Sequence, residues 1–467
     1  MRLRFSISRA IGIPFVSLLV FSTVLFAQTE NTTDIITGVS ESNGFTYKDF
    51  ISGNFRAQYE GRWAEGGEED HDTYDYLRFT TKPFLRDKVT ISGSGRFSAD
   101  LDGRESKSDA FRDILDSYDH TYNGRIYYLY ADIKNPVIDK SNLRIGRQYL
   151  YSIETILFDG AKYEQQIGPV ESYAFGGLRV SQYSSTYFDT VTGSGVAFRP
   201  FVDTRTTLDY VRIIDDEFID DEVGLNLWQK IYEDFNFYGR YTLLNTLPKD
   251  FLVKLSWDKI DWDANVQVSY YRFIHSLGEQ SNNISPFFQL LGTLEPFELI
   301  SVTGYKGFGE KFGISSGYDY RRVLDKDDEN SFNRNYNRTF LSFNVNNVLL
   351  QESRAAFTVE YWNVKGIDHT VDLGVDYGKK IGRFDVGAGT SYSLYKYNFV
   401  GSNDLQMIMD SEYTRDIEQK IDVRTYYLRL KYLLTKHSDI TMRWTSEISD
   451  TEPDKFHQLL ISYSVNF

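Results

Sequence analysis

No cysteine occurs among the 467 residues. Disulfides, thiolate metal sites, haem attachment and a lipid-modified N-terminal cysteine are therefore excluded. Histidine is scarce, with six in the whole chain (His71, His120, His275, His369, His437 and His457). No His-Glu-x-x-His, Gly-x-Ser-x-Gly or glycine-rich phosphate loop occurs, so no catalytic constellation, cofactor or metal site is expected. Long apolar runs are also missing beyond residues 10–26, and mean hydropathy is −0.41, which excludes a bundle of membrane helices. Positive charge is in deficit, with 51 Lys and Arg against 66 Asp and Glu and a net charge of −15. Such a balance repels nucleic acid. Proline is rare, nine in all. Pro136, Pro169, Pro248, Pro296 and Pro453 fall between patterned segments or at their starts, where no ladder N–H is lost.

The single apolar run has a simple reading. Arg2, Arg4 and Arg9 precede Ala10–Phe26, and Ala27 is followed by polar Gln28. This is the layout of a secretory signal peptide, with cleavage expected after Ala27. A transmembrane anchor is the alternative. Loss of the leader makes the mature chain three charges more negative. Residues 28–44 are polar and patternless, a short periplasmic extension too small to form a plug domain.

What is abundant is aromatic residues: 35 Tyr, 34 Phe and 6 Trp, or 16% of the chain. From Phe45 onward they fall into period-two alternation. Val89, Ile91, Gly93, Gly95 and Phe97 oppose Thr90, Ser92, Ser94, Arg96 and Ser98. Val371, Leu373, Val375 and Tyr377 oppose Asp372, Gly374, Asp376 and Gly378. Each segment has one apolar face and one polar face, the mark of strands between unlike environments. Segments of 10 to 14 residues sustained over four hundred residues suit tilted membrane strands better than a soluble sandwich. About 22 strands are expected, with 18 or 20 if some pairs merge. The longest gaps are Gly61–Asp72, Asp102–Tyr122, Tyr183–Gly193, Ser276–Phe297, Leu324–Tyr336 and Asn398–Asp422. They follow strands 1, 3, 7, 13, 15 and 19, so all lie on one parity. Short turns at one rim and long loops at the other are the signature of a transmembrane, antiparallel, up-and-down β-barrel. The fold class is accordingly all-β, with the barrel spanning residues 45–467.

Two resemblances extend this. The last stretch, Lys455–Phe467 (KFHQLLISYSVNF), resembles the closing strand of bacterial outer-membrane barrels. That implies a Gram-negative outer membrane, lipid and lipopolysaccharide neighbours, and recognition of the Phe467 strand by the barrel-assembly machinery. Arg144-Ile-Gly-Arg147-Gln148 followed by Phe158-Asp159-Gly160 resembles the "GRQ … FDG" hairpin of several Gram-negative porin families, alginate-export-type porins among them. The match covers some 17 residues, and it implies pore-lining roles for Arg144 and Arg147. Strict alternation puts Arg147 on the lipid side unless a bulge intervenes.

A wide unplugged barrel holds water, so its polar face should line a channel. Candidate lining residues are Arg56, Glu60, Arg96, Arg144, Arg147, Arg240, Asp372, Asp376, Arg424 and Arg429. Within 102–122, Phe111, Ile114 and Leu115 recur at helical spacing. Asp109, Arg112, Asp113 and Asp116 are thus candidates for a loop folded into the pore, with an external loop equally open. Acidic runs at Glu68–Asp70, Asp215–Glu217, Asp220–Glu222 and Asp325–Glu329 are placed in outer loops. The expected function is a passive channel for small hydrophilic solutes or ions, with no chemistry performed. Two alternatives stay open: a barrel sheathing a periplasmic or surface cytochrome, and a surface adhesin. Association into a homotrimer is also left open.

Overall fold

In the computed structural model, described at residues 50–65, 69–102, 122–180, 189–215, 218–275, 296–325, 335–348, 350–364, 370–398, 418–449 and 455–467, twenty-two antiparallel strands form one closed barrel. In order they are β1 (Ile51–Ala64), β2 (Glu69–Thr81), β3 (Val89–Asp100), β4 (Tyr122–Lys134), β5 (Ser141–Tyr151), β6 (Thr155–Ile167), β7 (Val170–Arg179) and β8 (Thr190–Phe198). Then follow β9 (Thr204–Asp215), β10 (Phe218–Tyr232), β11 (Phe235–Leu244), β12 (Leu247–Lys259), β13 (Ala264–Phe273), β14 (Phe297–Phe308) and β15 (Phe312–Val323). The circuit ends with β16 (Tyr336–Asn346), β17 (Ser353–Val364), β18 (Thr370–Ile381), β19 (Phe384–Asn398), β20 (Glu418–Thr435), β21 (Ser438–Ile448) and β22 (Lys455–Asn466). The signal peptide and extension, residues 1–44, lie outside the described residues.

Closure is made by β22 against β1, in register from Asn54↔Asn466 to Ala64↔Phe456. Gly53 and Phe467 exchange two backbone hydrogen bonds at 2.9 and 3.1 Å. A side chain at Gly53 would meet the Phe467 ring, whose Cζ lies 2.6 Å from an added Cβ. The terminal aromatic thus covers a glycine on the first strand, and no ladder edge is left where the ends meet.

The two faces separate as their alternation demands. Ile126, Leu341 and Leu373 are exposed at 49%, 55% and 61%, with Leu428, Val268 and Ile461 on the same face. Apolar side chains held in the open on every side of a closed cylinder mark a face matched to hydrocarbon. Aromatic pairs flank the short-turn rim on that face: Phe235–Trp257, Trp257–Trp262, Phe312–Phe343 and Phe384–Tyr432.

The parity of the connections holds. The long ones, 101–121, 180–189, 274–296, 324–335 and 399–417, all follow odd-numbered strands. The expected gap Gly61–Asp72 is shorter, because β1 and β2 pair as far as Trp63↔Glu69. Asp220–Glu222 is not loop either. All three residues lie in β10, where Asp220 and Glu222 are buried on the inner face and Asp221 pairs outward with Arg212 at 2.7 Å. Alternation explains the correction: Phe218 to Val223 is a strand whose inward positions happen to be acidic.

Candidate lumen lining and constriction

Two seams interrupt the wall. β4 and β5 pair only from Lys134↔Asn142 to Leu129↔Arg147. Above that level β4 stays with β3 up to Tyr122, and β5 stays with β6 up to Tyr151. The β5–β6 hairpin therefore leaves the wall midway. Its tip, 152–154, lies inside the barrel. Ile153 packs on Gly224 of β10, 2.6 Å from where a Cβ would sit, and Glu154 pairs with Lys249 of β12. Leu150, Ile153, Ile156 and Phe158 form one buried cluster with Phe175, Val191, Val211, Ile213, Leu244 and Phe273 from the inner faces of β7 to β13. Burying Phe158 alone is worth about 1.5–3 kcal/mol, so this apolar seam against the wall helps keep the hairpin inside.

The GRQ … FDG residues make the bend. They are register partners of one another: Gly146↔Gly160, Arg147↔Asp159 and Gln148↔Phe158. Gly146 has φ +126°, a conformation side-chain-bearing residues rarely adopt, and a Cβ there would overlap the Leu129 carbonyl oxygen. Gly160 and Gly177 continue the row, each backed against a neighbouring strand's carbonyl. Gln148, fully buried, donates to the carbonyls of Arg144, Gly146 and Gly160 at 3.3–3.4 Å, covering main-chain oxygens at the bend. Replacing Gly146 with Val is therefore expected to straighten or break the hairpin. The strain is about 1–3 kcal/mol before the overlap is counted. The check is urea unfolding of the refolded barrel followed by tryptophan fluorescence, where a lowered midpoint is expected and an unchanged one would contradict this role.

Arg147 donates to Asp159 in a fork at 2.8 and 2.7 Å and reaches the Ile126 carbonyl at 3.4 Å, at the foot of the seam. It shares the parity of exposed Ile145, and the register does not shift at Gly146. Arg147 is thus a partner of Asp159 at the bend, where the hairpin leaves the wall. The inner-wall position expected of Arg424 is corrected. Its register neighbours are Tyr392 and Ile448, on the outward parity of Tyr426 and Leu428. Its guanidinium crosses the second seam, above Val375↔Thr390, to pair with Asp372 and to donate to the Leu373 carbonyl at 2.7 Å. The sequence grouped Arg424 with Arg429, five positions on, and five is the wrong parity.

The other candidates sit on the inner register, opposite the exposed apolar face. Arg144 is forked to Asp132 at 2.8 and 3.1 Å. Arg240 meets Asp250 at 3.2 Å, Glu60 accepts from Gln458, and Arg429 shares Asp385 with Arg354 at 3.7 and 3.3 Å. Asp376 lies between Ala356 and Gly389. Asp109, Arg112, Asp113 and Asp116 lie outside the described residues.

β1 to β4 form a different kind of wall. Arg56↔Tyr76↔Arg96↔Arg125 is one continuous inner row, with Arg78 in the row below. Arg56 lies over the Tyr76 ring at 4.4 Å and Arg96 over Tyr74 at 5.3 Å. Among the described residues Arg56, Arg78 and Arg96 have no carboxylate at ion-pair distance. On the opposite arc Arg338 takes both Asp319 and Glu360. At the outer end of β3, burial pushes the Asp102 carboxyl up to about 7, helped by the neighbouring Asp100.

The constriction by β5–β6 was not anticipated. The signal was available: Leu150, Phe158, Val191, Val211 and Phe273 are apolar at positions whose parity points inward.

No family model matches the chain, and no curated protein does. Solved structures match in outline. Pseudomonas aeruginosa OpdK with vanillate is 11% identical with a TM-score of 0.39, over 91% of this chain and 100% of that one. Pseudomonas aeruginosa OccK2 (OpdF) with glucuronate is 12% identical with a TM-score of 0.39, over 91% and 100%. The P pilus usher (PapC) translocation pore is 10% identical with a TM-score of 0.46, over 89% and 99%.

Proposed function

We propose that the chain is an outer-membrane porin, a passive channel for small hydrophilic solutes that favours anions. One observation carries the reading: a closed 22-strand barrel is apolar outside and charged inside. Backbone groups in hydrocarbon must be paired, and a closed barrel of this kind satisfies them. Twenty-two strands enclose more width than inward side chains can fill. The hairpin narrows one side of that space, and the arginine–tyrosine wall of β1–β4 borders the rest.

Anion preference follows from where charge is left uncompensated. The chain is acidic overall, yet inner carboxylates such as Asp132, Asp250, Asp319 and Glu360 are taken up by arginines. Arg56, Arg78 and Arg96 are not neutralised in that way. The hairpin also occupies interior volume that a sheathed cytochrome would need, which disfavours that alternative. Outer-membrane location and export by the N-terminal leader belong to the same reading. Conductance of the refolded mature chain in planar bilayers tests it, with stable open steps and anion selectivity expected.

A further inference from the structure

The β5–β6 tip is held by more than apolar packing. Lys249 enters at an irregularity in β12, where the β11–β12 register shifts between Thr242↔Asp250 and Leu243↔Pro248. Its side chain is 5% exposed and lies between Glu154 at the hairpin tip and Glu222 of β10, donating to Glu222 at 2.8 Å. Glu222 is 1% exposed, and its other carboxylate oxygen has no hydrogen-bond partner among the described residues. Two carboxylates and one ammonium thus lie together against the apolar cluster. Nothing in wall building requires this: β10, β11 and β12 already pair along their lengths. Glu154 is the one member off the wall. It belongs to a hairpin that has left β4, whose upper half has no strand on that side among the described residues.

We infer that Lys249 is a positioning residue that pins the hairpin tip inside the lumen and so sets the width, and hence the size cut-off, of the pore. The inference rests on the porin reading for its consequence, though not for the pinning itself. The physical ground is that buried charges are tolerated as a set and not singly. Without the ammonium, Glu154 and Glu222 face each other with no counter-charge in a poorly solvated place. The hairpin tip is the part free to move away, since Glu222 is fixed in a paired strand. Departure of Glu154 restores its hydration and draws Ile153 off Gly224.

The absence of native cysteine makes a direct test available. In Ile153→Cys/Gly224→Cys the new thiols replace the two groups in contact, and oxidation should link them rapidly in the folded barrel. Adding Lys249→Met should slow that linkage about tenfold or more. Without the cysteines, Lys249→Met should raise unit conductance and admit larger neutral solutes. Exchanging the charges, Glu154→Lys with Lys249→Glu, keeps one ammonium beside two carboxylates and should restore both readouts. Heat-modifiable gel migration identifies folded barrels throughout. Linkage as fast after Lys249→Met as with Lys249 in place would overturn the pin. Slowed linkage with unchanged conductance would overturn its role in setting pore width. If every variant were silent in bilayers, the porin reading would fall, while the linkage rates would still decide whether Lys249 holds the tip.

Discussion

Deleting residues 455–467 is expected to abolish barrel formation altogether. Among the described residues β22 is the one strand joining β21 to β1, and it is hydrogen-bonded on both sides along its length. Its loss exposes two edges of the sheet to hydrocarbon, where each unpaired backbone group costs several kcal/mol. Gly53 would also lose the Phe467 ring and both backbone bonds at the point of closure. A 21-strand ring could form only by pairing β1 with β21, two strands that run in the same direction in an otherwise antiparallel barrel. Refolding into detergent followed by gels with and without boiling checks this. The truncated chain should show no heat-modifiable band and no cooperative unfolding. A compact, heat-modifiable product would show that closure does not depend on the last strand.

The second large effect concerns ion selectivity. Replacing Arg56, Arg78 and Arg96 together by Gln is expected to lower the anion-to-cation permeability ratio by about tenfold and to reverse the sign of the reversal potential in a salt gradient. A unit charge 4 Å from an ion in water contributes about 1 kcal/mol, falling with distance. Two such charges at accessible positions, Arg56 and Arg78, with Arg96 buried beside them, therefore supply enough for that factor. Salt provides a control, since the Debye length is about 3 Å at 1 M and about 10 Å at 0.1 M. The difference between wild type and variant should shrink as salt rises. Arg144 makes a suitable comparison, because Asp132 already compensates it; Arg144→Gln should leave Asp132 uncovered and shift selectivity slightly toward cations. A triple variant with unchanged reversal potential would place the selective region elsewhere.

How far the sequence could lead follows from what alternation encodes. Period two records which face a residue takes, so the strand series and the parity of the loops were legible from residues such as Val371 to Gly378. β22 starts at Lys455, as read from sequence, because Pro453 and Asp454 stop the pattern just before it. Alternation does not record whether a strand stays in the wall. That is why the inward hairpin at Tyr151–Thr155 was missed, although its apolar inner parity at Leu150 and Phe158 departs from what a water-lined surface needs. Nor does it record which groups reach sideways. Arg424 spans a seam to Asp372, and that partnership depends on where β18 and β19 part, a property of the closed barrel. The GRQ … FDG pattern was visible as a motif. Its physical content, a glycine bend locked by Gln148 and by the Arg147–Asp159 pair, became visible only when the two strands were in register.

An open, ion-selective lumen is tested by planar-bilayer recording of the refolded mature chain under a tenfold salt gradient. Discrete, long-lived conductance steps are expected, with a reversal potential of the sign set by anion preference. Correctly folded barrels that insert without conducting would contradict an open lumen, and open steps with clear cation preference would contradict the role given to Arg56, Arg78 and Arg96.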